Sequence, residues 1–428
     1  MPQPKAPLPV RLYGAAANLV APLAYRRVSA KLSAQGTNPT RLPERMGRAT
    51  LARPEGRLVW FHAASVGESL SVLRLIAQMG NTAQDMNFLV TSGTATSAQI
   101  VAKRLPDRTV HQFAPLDSRN NVMRFLGHWR PDAAVFVESE LWPQMLRCTH
   151  HAGVPLALIN ARISESSARN WKRFPKTAQY LMSHFCMIHC QDTRTADHLT
   201  DLGLSQAASG VNLKSLAGPV PFDRREYHRM QDVIGPRPVW LAASTHPGED
   251  EIVLTAHKQM IKSHPEALLI LAPRHPERGG KVEALIAEMG FEAARRSLGM
   301  PVQNQTRVYL ADTLGEMGLW YNLSPLTCLC GSFTDVGGHN PYEPAYAGSA
   351  VVHGPLYKNF SDTYASMLMH GASIEVADAK SLGSVLQRFL DTPEALDEMR
   401  AKTRAFADAQ DDVLEAFAQK LSKALGLG

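Results

Sequence analysis

The chain has 428 residues, 45% of them hydrophobic and 20% charged, with a net charge of +6. That length exceeds one ordinary core and predicts two domains, while the composition excludes a disordered chain. The charge is uneven: residues 1–57 carry ten Lys or Arg against two acids, leaving the rest slightly acidic, which argues against a nucleic-acid groove in the body of the protein.

The head, residues 1–35, contains an apolar stretch from Leu12 to Tyr25 flanked by Arg11, Arg26, Arg27 and Lys31. It is shorter than the roughly 20 residues needed to span a bilayer. Its composition is that of a basic amphipathic segment lying in an anionic membrane interface, or of a helix docked on the protein's own surface. From Leu58 onward, short apolar runs alternate with helical segments. Leu58–His62, Asn87–Thr91, Val110–Pro115, Ala133–Ser139, Leu156–Ala161 and Phe185–Gln191 read as strands too continuously apolar for hairpins, so a parallel sheet covered on both faces is expected. Gly218-Pro219-Val220-Pro221 and Gly235-Pro236-Arg237-Pro238 break the pattern as a linker. It then restarts with Val239–Ser244, Ala267–Pro273, Val308–Asp312, Leu326–Gly331, Val351–Gly354 and Ile374–Ala377. The expected fold is α/β: two Rossmann-like domains, residues 36–225 and 226–428, whose parallel sheets face each other across a cleft, with the ligand beyond the strand ends. Of five cysteines none forms a CxxC pair, and Cys186/Cys190 and Cys328/Cys330 lie in apolar runs, as buried thiols of a reducing compartment do.

The conspicuous motifs follow strands. In His62-Ala63-Ala64-Ser65-Val66-Gly67-Glu68-Ser69, a small-residue turn opens a helix, and Glu68 reads either as a general base for an alcohol or as a carboxylate stabilising its own helix. Glu138-Ser139-Glu140-Leu141-Trp142-Pro143 places two carboxylates two apart, of which at most one is expected to enter the cleft directly. Asn160-Ala161-Arg162-Ile163-Ser164 brings an Arg that either contacts ligand or pairs with Glu138. Gly210-Val211-Asn212-Leu213-Lys214 closes the first domain with one ammonium. In the second half, Ser244 and His246 sit in Ala243-Ser244-Thr245-His246-Pro247-Gly248-Glu249, and Pro273-Arg274 in a segment suited to gripping phosphate. Asp312-Thr313-Leu314-Gly315-Glu316-Met317 leaves a strand for a helix. Cys330 to Gly348 carries a Gly337-Gly338 turn, His339 and then Asn340-Pro341-Tyr342-Glu343, which reads as a helix start able to receive a phosphate while Glu343 takes sugar hydroxyls. His246, His275 and His339 are too dispersed for zinc, and neither HExxH nor an Asp-x-Asp triplet occurs, so no catalytic metal is expected.

Taken together, the blocks HAASVGES, ESELWP, NARIS, SGVNLK, ASTHPGE, APRHPER, DTLGEM, GSFTDVGGHNPYEPAYAG and GPLYKNF resemble, in order and over about residues 10–420, the 3-deoxy-D-manno-octulosonic acid (Kdo) transferases. These are lipid A glycosylating enzymes of the GT-B class. The resemblance implies transfer of Kdo from CMP-Kdo to a lipid A precursor (lipid IVA) during lipopolysaccharide core synthesis at the cytoplasmic face of the inner membrane, by a peripheral or N-terminally anchored enzyme. It implies Glu68 as base, Glu138 and Lys214 as transition-state stabilisers, and CMP held by Pro273, Arg274, Leu314, Gly315, Glu316, Asn340, Pro341, Tyr342 and Glu343. Ser65, Gly67, Arg162, Ser244, His246, Gly338 and His339 are further candidate contacts to donor or acceptor. Base and leaving group on opposite sides of the sugar predict one displacement with inversion and no covalent intermediate; no cofactor and no nucleic-acid partner are expected. In two places the chain departs from the family pattern: Ser215-Leu216 follow Lys214 where a Phe-Asp-like pair is common, and the head is shorter and more polar than a true anchor. A GT-B-like sugar-nucleotide epimerase and a non-catalytic lipid- or partner-binding protein are the alternative readings.

Overall fold

The computed structural model describes residues 5–204, 207–210, 212–213, 215–216 and 218–428. They form two units, Met1–Ala217 together with Asp412–Gly428, and Gly218–Asp411. The first holds β1 (Arg57–His62), β2 (Met86–Ser92), β3 (Thr109–Phe113), β4 (Ala133–Val137), β5 (Leu156–Ala161), β6 (Phe185–Cys190) and β7 (Ala207–Ser209). Their order in the sheet is β3-β2-β1-β4-β5-β6-β7, every pair parallel. The second holds β8 (Val239–Thr245), β9 (Leu268–Pro273), β10 (Ala293–Arg295), β11 (Val308–Leu310), β12 (Leu326–Leu329), β13 (Ala350–His353) and β14 (Ser373–Glu375). These are also all parallel, in the order β10-β11-β9-β8-β12-β13-β14.

The strands are apolar on both sides because both sides are buried. On β1, Leu58 and Trp60 pack into one core with Phe125, Trp129 and Phe136, while Val59 and Phe61 pack into the opposite one with Phe88 and Val90. In each sheet the strand order reverses at one place, between β1 and β4 and between β8 and β12, and the crevice beyond the strand ends there is where such sheets bind ligands.

All twelve strands expected from the sequence form, and two were missed: β7 and β10 have three residues each, with no apolar run to announce them. The expected domain limits move at both ends. The division falls at 217/218 rather than 225/226, since Val220 and Phe222 pack against the core of the second unit. Nor does that unit run to 428. The long helix Pro393–Ala424 passes from one unit to the other, and its last turns place Leu414, Phe417, Ala418, Leu421 and then Leu425 in the core of the first. Residues 1–35 belong to the first unit as well. Leu8–Ala34 is one helix, packed so closely on helix Pro143–His151 that a side chain on Gly14 would strike Gln144. Leu8, Leu12, Leu19, Val20 and Leu23 on it stay exposed, and among the described residues no helix is long and apolar enough to cross a membrane. Cys186 is exposed, unlike the other four thiols, which are buried as expected.

Candidate active site

In the first unit the site is built at the ends of β1, β4 and β5. Ser65 caps helix Val66–Thr82, accepting the Glu68 N–H at 3.3 Å, and Glu68 replies by accepting the Ser65 hydroxyl at 2.7 Å and the Ala64 N–H at 2.9 Å. Glu68 therefore fulfils the capping role and is oriented by it. Burial, followed by the charges of Glu140 and Glu138, pushes its carboxyl above the usual range even though the bonds to Ser65 and Ala64 pull the other way. Gly67, the residue before it, is exposed, with open space where a side chain would be.

β4 ends at Val137, Glu138 takes the left-handed conformation at φ +57°, and the charges of Glu140 and Glu138 both act on Glu68. Glu140 lies 3.3 Å from His62 Nε2 and accepts the Trp142 indole N–H. Burial would raise its pKa, but these two partners hold it below the usual range. Asn160, itself left-handed at φ +52° and fully buried, accepts the Leu213 N–H at 2.9 Å and turns its amide nitrogen to Glu138 at 3.5 Å. It thereby ties β4 and β5 to the segment that carries Lys214. Lys214 itself lies outside the described residues.

Among the described residues Arg162 has no ion-pair partner; its exposed side chain lines a pocket of about 320 Å³ with Glu140, Trp142 and Trp171, while its backbone carbonyl accepts the Ser139 hydroxyl at 2.6 Å. Sequence reasoning passed over His62, Glu140 and Asn160 as site-builders. The contact of Glu140 with His62 and the side-chain reach of Asn160 leave no sequence signal.

In the second unit the candidates lie at the ends of four adjacent strands. At the end of β8, Ser244 is left-handed at φ +59°, and Thr245 offers its carbonyl to the Arg274 N–H and to the Arg278 guanidinium. Arg274 follows β9 with an exposed side chain. After β12, Gly337 and Gly338 both adopt positive φ, +98° and +80°, and a side chain on Gly338 would crowd Tyr357 at 3.1 Å. Glu249, fully buried, joins the two loops by accepting the N–H groups of His246, Gly331 and Phe333. It too went unrecognised in the sequence.

Burial raises the Glu343 carboxyl, while Asn340, Tyr321 and the Arg274 charge pull it back only in part. The Asn340 side chain accepts the Tyr342 N–H at 3.2 Å, making the turn rigid, and Tyr342 stacks on Phe406. The helix expected after Pro341 is only Tyr342–Tyr346, and that after the DTLGEM block only Met317–Leu323. So few turns supply little dipole. In the turn after β11, Leu314 is 79% exposed and Gly315 has φ +85°, but the Glu316 carboxylate is held by Arg296 and Thr313. Among the described residues no cluster of three or more His, Cys, Asp or Glu is arranged to hold a metal ion.

A family model described as 3-deoxy-D-manno-octulosonic-acid transferase (kdotransferase) matches residues 40–216. A 3-deoxy-D-manno-octulosonic acid transferase of Rickettsia felis is 33% identical over 86% of this chain and 79% of its own length. Another from Rickettsia bellii is 30% identical over 97% of this chain and 99% of its own. Among solved structures, a glycosyltransferase from Rickettsia africae superposes with a TM-score of 0.59 at 11% identity, over 87% of this chain and 99% of that one.

Proposed function

Since the chain belongs to the 3-deoxy-D-manno-octulosonic acid (Kdo) transferases, glycosyltransferases of lipopolysaccharide core synthesis, we propose that it moves Kdo from CMP-Kdo to the lipid A precursor lipid IVA, with inversion and without a metal. Its two parallel-sheet units have the architecture of GT-B glycosyltransferases. In this reading the first unit takes the acceptor and the second the donor.

Glu68 carries the proposal. It is oriented by two hydrogen bonds, lies beside the reversal of strand order in its sheet, and is made more basic by burial and by Glu140 and Glu138. It takes the proton of the acceptor hydroxyl as that oxygen bonds to the anomeric carbon. The bond from that carbon to the phosphate oxygen breaks on the opposite side, its electrons leaving with CMP. Positive charge growing on the sugar falls to Glu138 to stabilise, and negative charge on the departing phosphate to Arg274 and Lys214. The pocket of Glu140, Trp142, Arg162 and Trp171 suits the acceptor's phosphorylated sugars, its indoles for ring faces and its guanidinium for phosphate. Asn340–Glu343, with the exposed Leu314-Gly315 turn, would hold the cytidine and ribose. The exposed apolar stripe of helix Leu8–Ala34, with its arginines, supports attachment to the cytoplasmic face of the inner membrane, where the lipid acceptor is found.

The experiment incubates the protein and its Glu68→Gln variant with CMP-Kdo and a tetraacylated lipid A precursor and weighs the glycolipid by mass spectrometry. The wild type is expected to add Kdo and the variant to bind CMP but add none; a variant of comparable activity would remove Glu68 as the base. Release of free sugar without glycolipid would favour the epimerase reading.

A further inference from the structure

Two imidazoles meet across the strand-order reversal of the second sheet. His246 follows β8 and His339 ends the double-glycine turn after the neighbouring β12. Their Nε2 atoms are 3.0 Å apart, with ring planes 12° from parallel and centroids 5.2 Å apart. Rings stacked face to face cannot bring two nitrogens together at that centroid distance; rings edge to edge in a nearly common plane do. The contact is an N–H···N hydrogen bond, one ring donating and the other accepting.

The pair is built rather than incidental. The His246 backbone N–H donates to the buried Glu249 at 3.0 Å, and the His339 carbonyl accepts the Tyr364 hydroxyl at 3.0 Å. Gly331, at φ +72°, leaves the space the His339 ring needs, since a side chain there would stand 2.7 Å from it. The groups facing the pair are mostly cationic or neutral: Arg274 and His275 from the end of β9, Arg278 from the turn beyond, Tyr364 from helix Ser361–Met369, and Glu249 as the carboxylate acting on His246. Burial is the main cause that depresses both rings: His339, pushed to about 4, is lowered further by His246, Arg274 and His275, and at His246 the opposing pull of Glu249 is outweighed by burial together with His275, Arg274 and Arg278, so the pair is neutral at pH 7. What it lacks, among the described residues, is a counter-charge strong enough to offset them.

We propose that His246 and His339 act as one proton-accepting unit that becomes cationic when the donor's anionic groups bind, so that donor capture takes up a proton from solvent and CMP release returns it. The inference rests on the reading of the second unit as the donor half. The proton adds to the Nδ1 atom of the ring whose Nε2 already donates, so the N–H···N bond is kept and becomes charge-assisted. An uncharged nucleoside supplies no counter-charge and leaves the pair neutral.

Calorimetric titration of the full-length protein with CMP at pH 7, in two buffers of different ionisation enthalpy, counts the protons. A pH series from 8.5 to 6 gives the affinity. After correction for CMP's own phosphate titration, the wild type is expected to take up a fraction of a proton, at most one, and to bind more tightly as pH falls, by at most about tenfold per pH unit. Cytidine should bind with no uptake. His246→Gln and His339→Gln, which keep a hydrogen-bonding side chain, should each abolish the uptake, flatten the profile and weaken CMP roughly tenfold at pH 7. CMP binding by the wild type without uptake, a result independent of whether either variant folds, overturns the inference, as does uptake that persists in both variants. Failure of the wild type to bind CMP at all would instead remove the donor assignment and the inference with it.

Discussion

Glu249 is the side chain whose replacement most directly tests how the second site is held. Its carboxylate accepts His246 N–H at 3.0 Å and Gly331 N–H at 2.7 Å on Oε2, and Phe333 N–H at 2.9 Å on Oε1. In Glu249→Gln, an amide oxygen at the Oε2 position keeps the first two, but the NH2 group then opposes the Phe333 N–H, donor against donor. Turning the amide round keeps one bond and loses two. A buried donor left unpaired costs about 1–3 kcal/mol, and bonds to a charged acceptor lie toward the upper end, so the better rotamer costs roughly 2–4 kcal/mol. For a unit the size of Gly218–Asp411 that loss lowers the melting temperature by roughly 5–15 °C. Scanning calorimetry of the full chain, resolved into the transitions of its two units, reads the shift, and CMP affinity is expected to fall with it because the loops of His246 and Gly331 share this anchor. A transition within about 1 °C of wild type, with CMP affinity unchanged, would refute the argument that Glu249 holds the loops.

Glu68 must be ionised to act as a base, so log(kcat/KM) should drop on the acid side with a break above the ordinary glutamate value of about 4.3, and Glu140→Gln, by removing one repelling charge, should move that break downward; a pH–rate profile whose break stays put would separate Glu140 from the base. Leu421→Ala opens a cavity in the first unit's core and should cost it about 2–5 kcal/mol while sparing the transition of the second. Equal loss in both transitions would contradict the packing of the returning tail. Leu19→Asp with Leu23→Asp, on the exposed stripe of helix Leu8–Ala34, should abolish co-sedimentation with anionic vesicles while transfer to a detergent-dispersed acceptor persists.

How far the sequence could be read depended on whether a feature is local. The clearest example is β9, Leu268–Pro273, buried throughout and therefore apolar at every position, which any window of six residues reveals. β10 is Ala293–Arg295, short and partly polar, and exists because β11 offers it a parallel edge. The last helix looks from its sequence like the end of whatever domain precedes it. That Phe417 and Leu421 complete a core begun at Val59 is a contact across more than three hundred residues, with no local trace.

The site was legible in its outline for the same reason and illegible in its details. Motifs end strands, so Glu68, Arg274 and Glu343 could be placed beside a strand end from the alternation alone. What the alternation assumes, however, is that the backbone stays extended, and at the site it does not. Glu138, Asn160 and Ser244 are non-glycine residues in the left-handed region, each at or near the carboxyl end of a strand in its sheet. That conformation costs on the order of 1–2 kcal/mol for an ordinary side chain, and the surrounding bonds must hold it there. Asn160 shows how: one amide spans the Leu213 N–H and Glu138. The charges of Glu140 and Glu138 both act on Glu68, adding to the effect of its burial. A carboxylate raised by burial and further by two neighbouring charges loses part of that shift when either charge goes, so Glu138→Gln, like Glu140→Gln, should move the acid limb of the pH–rate profile downward, and a limb that stays in place would separate Glu138 from the base.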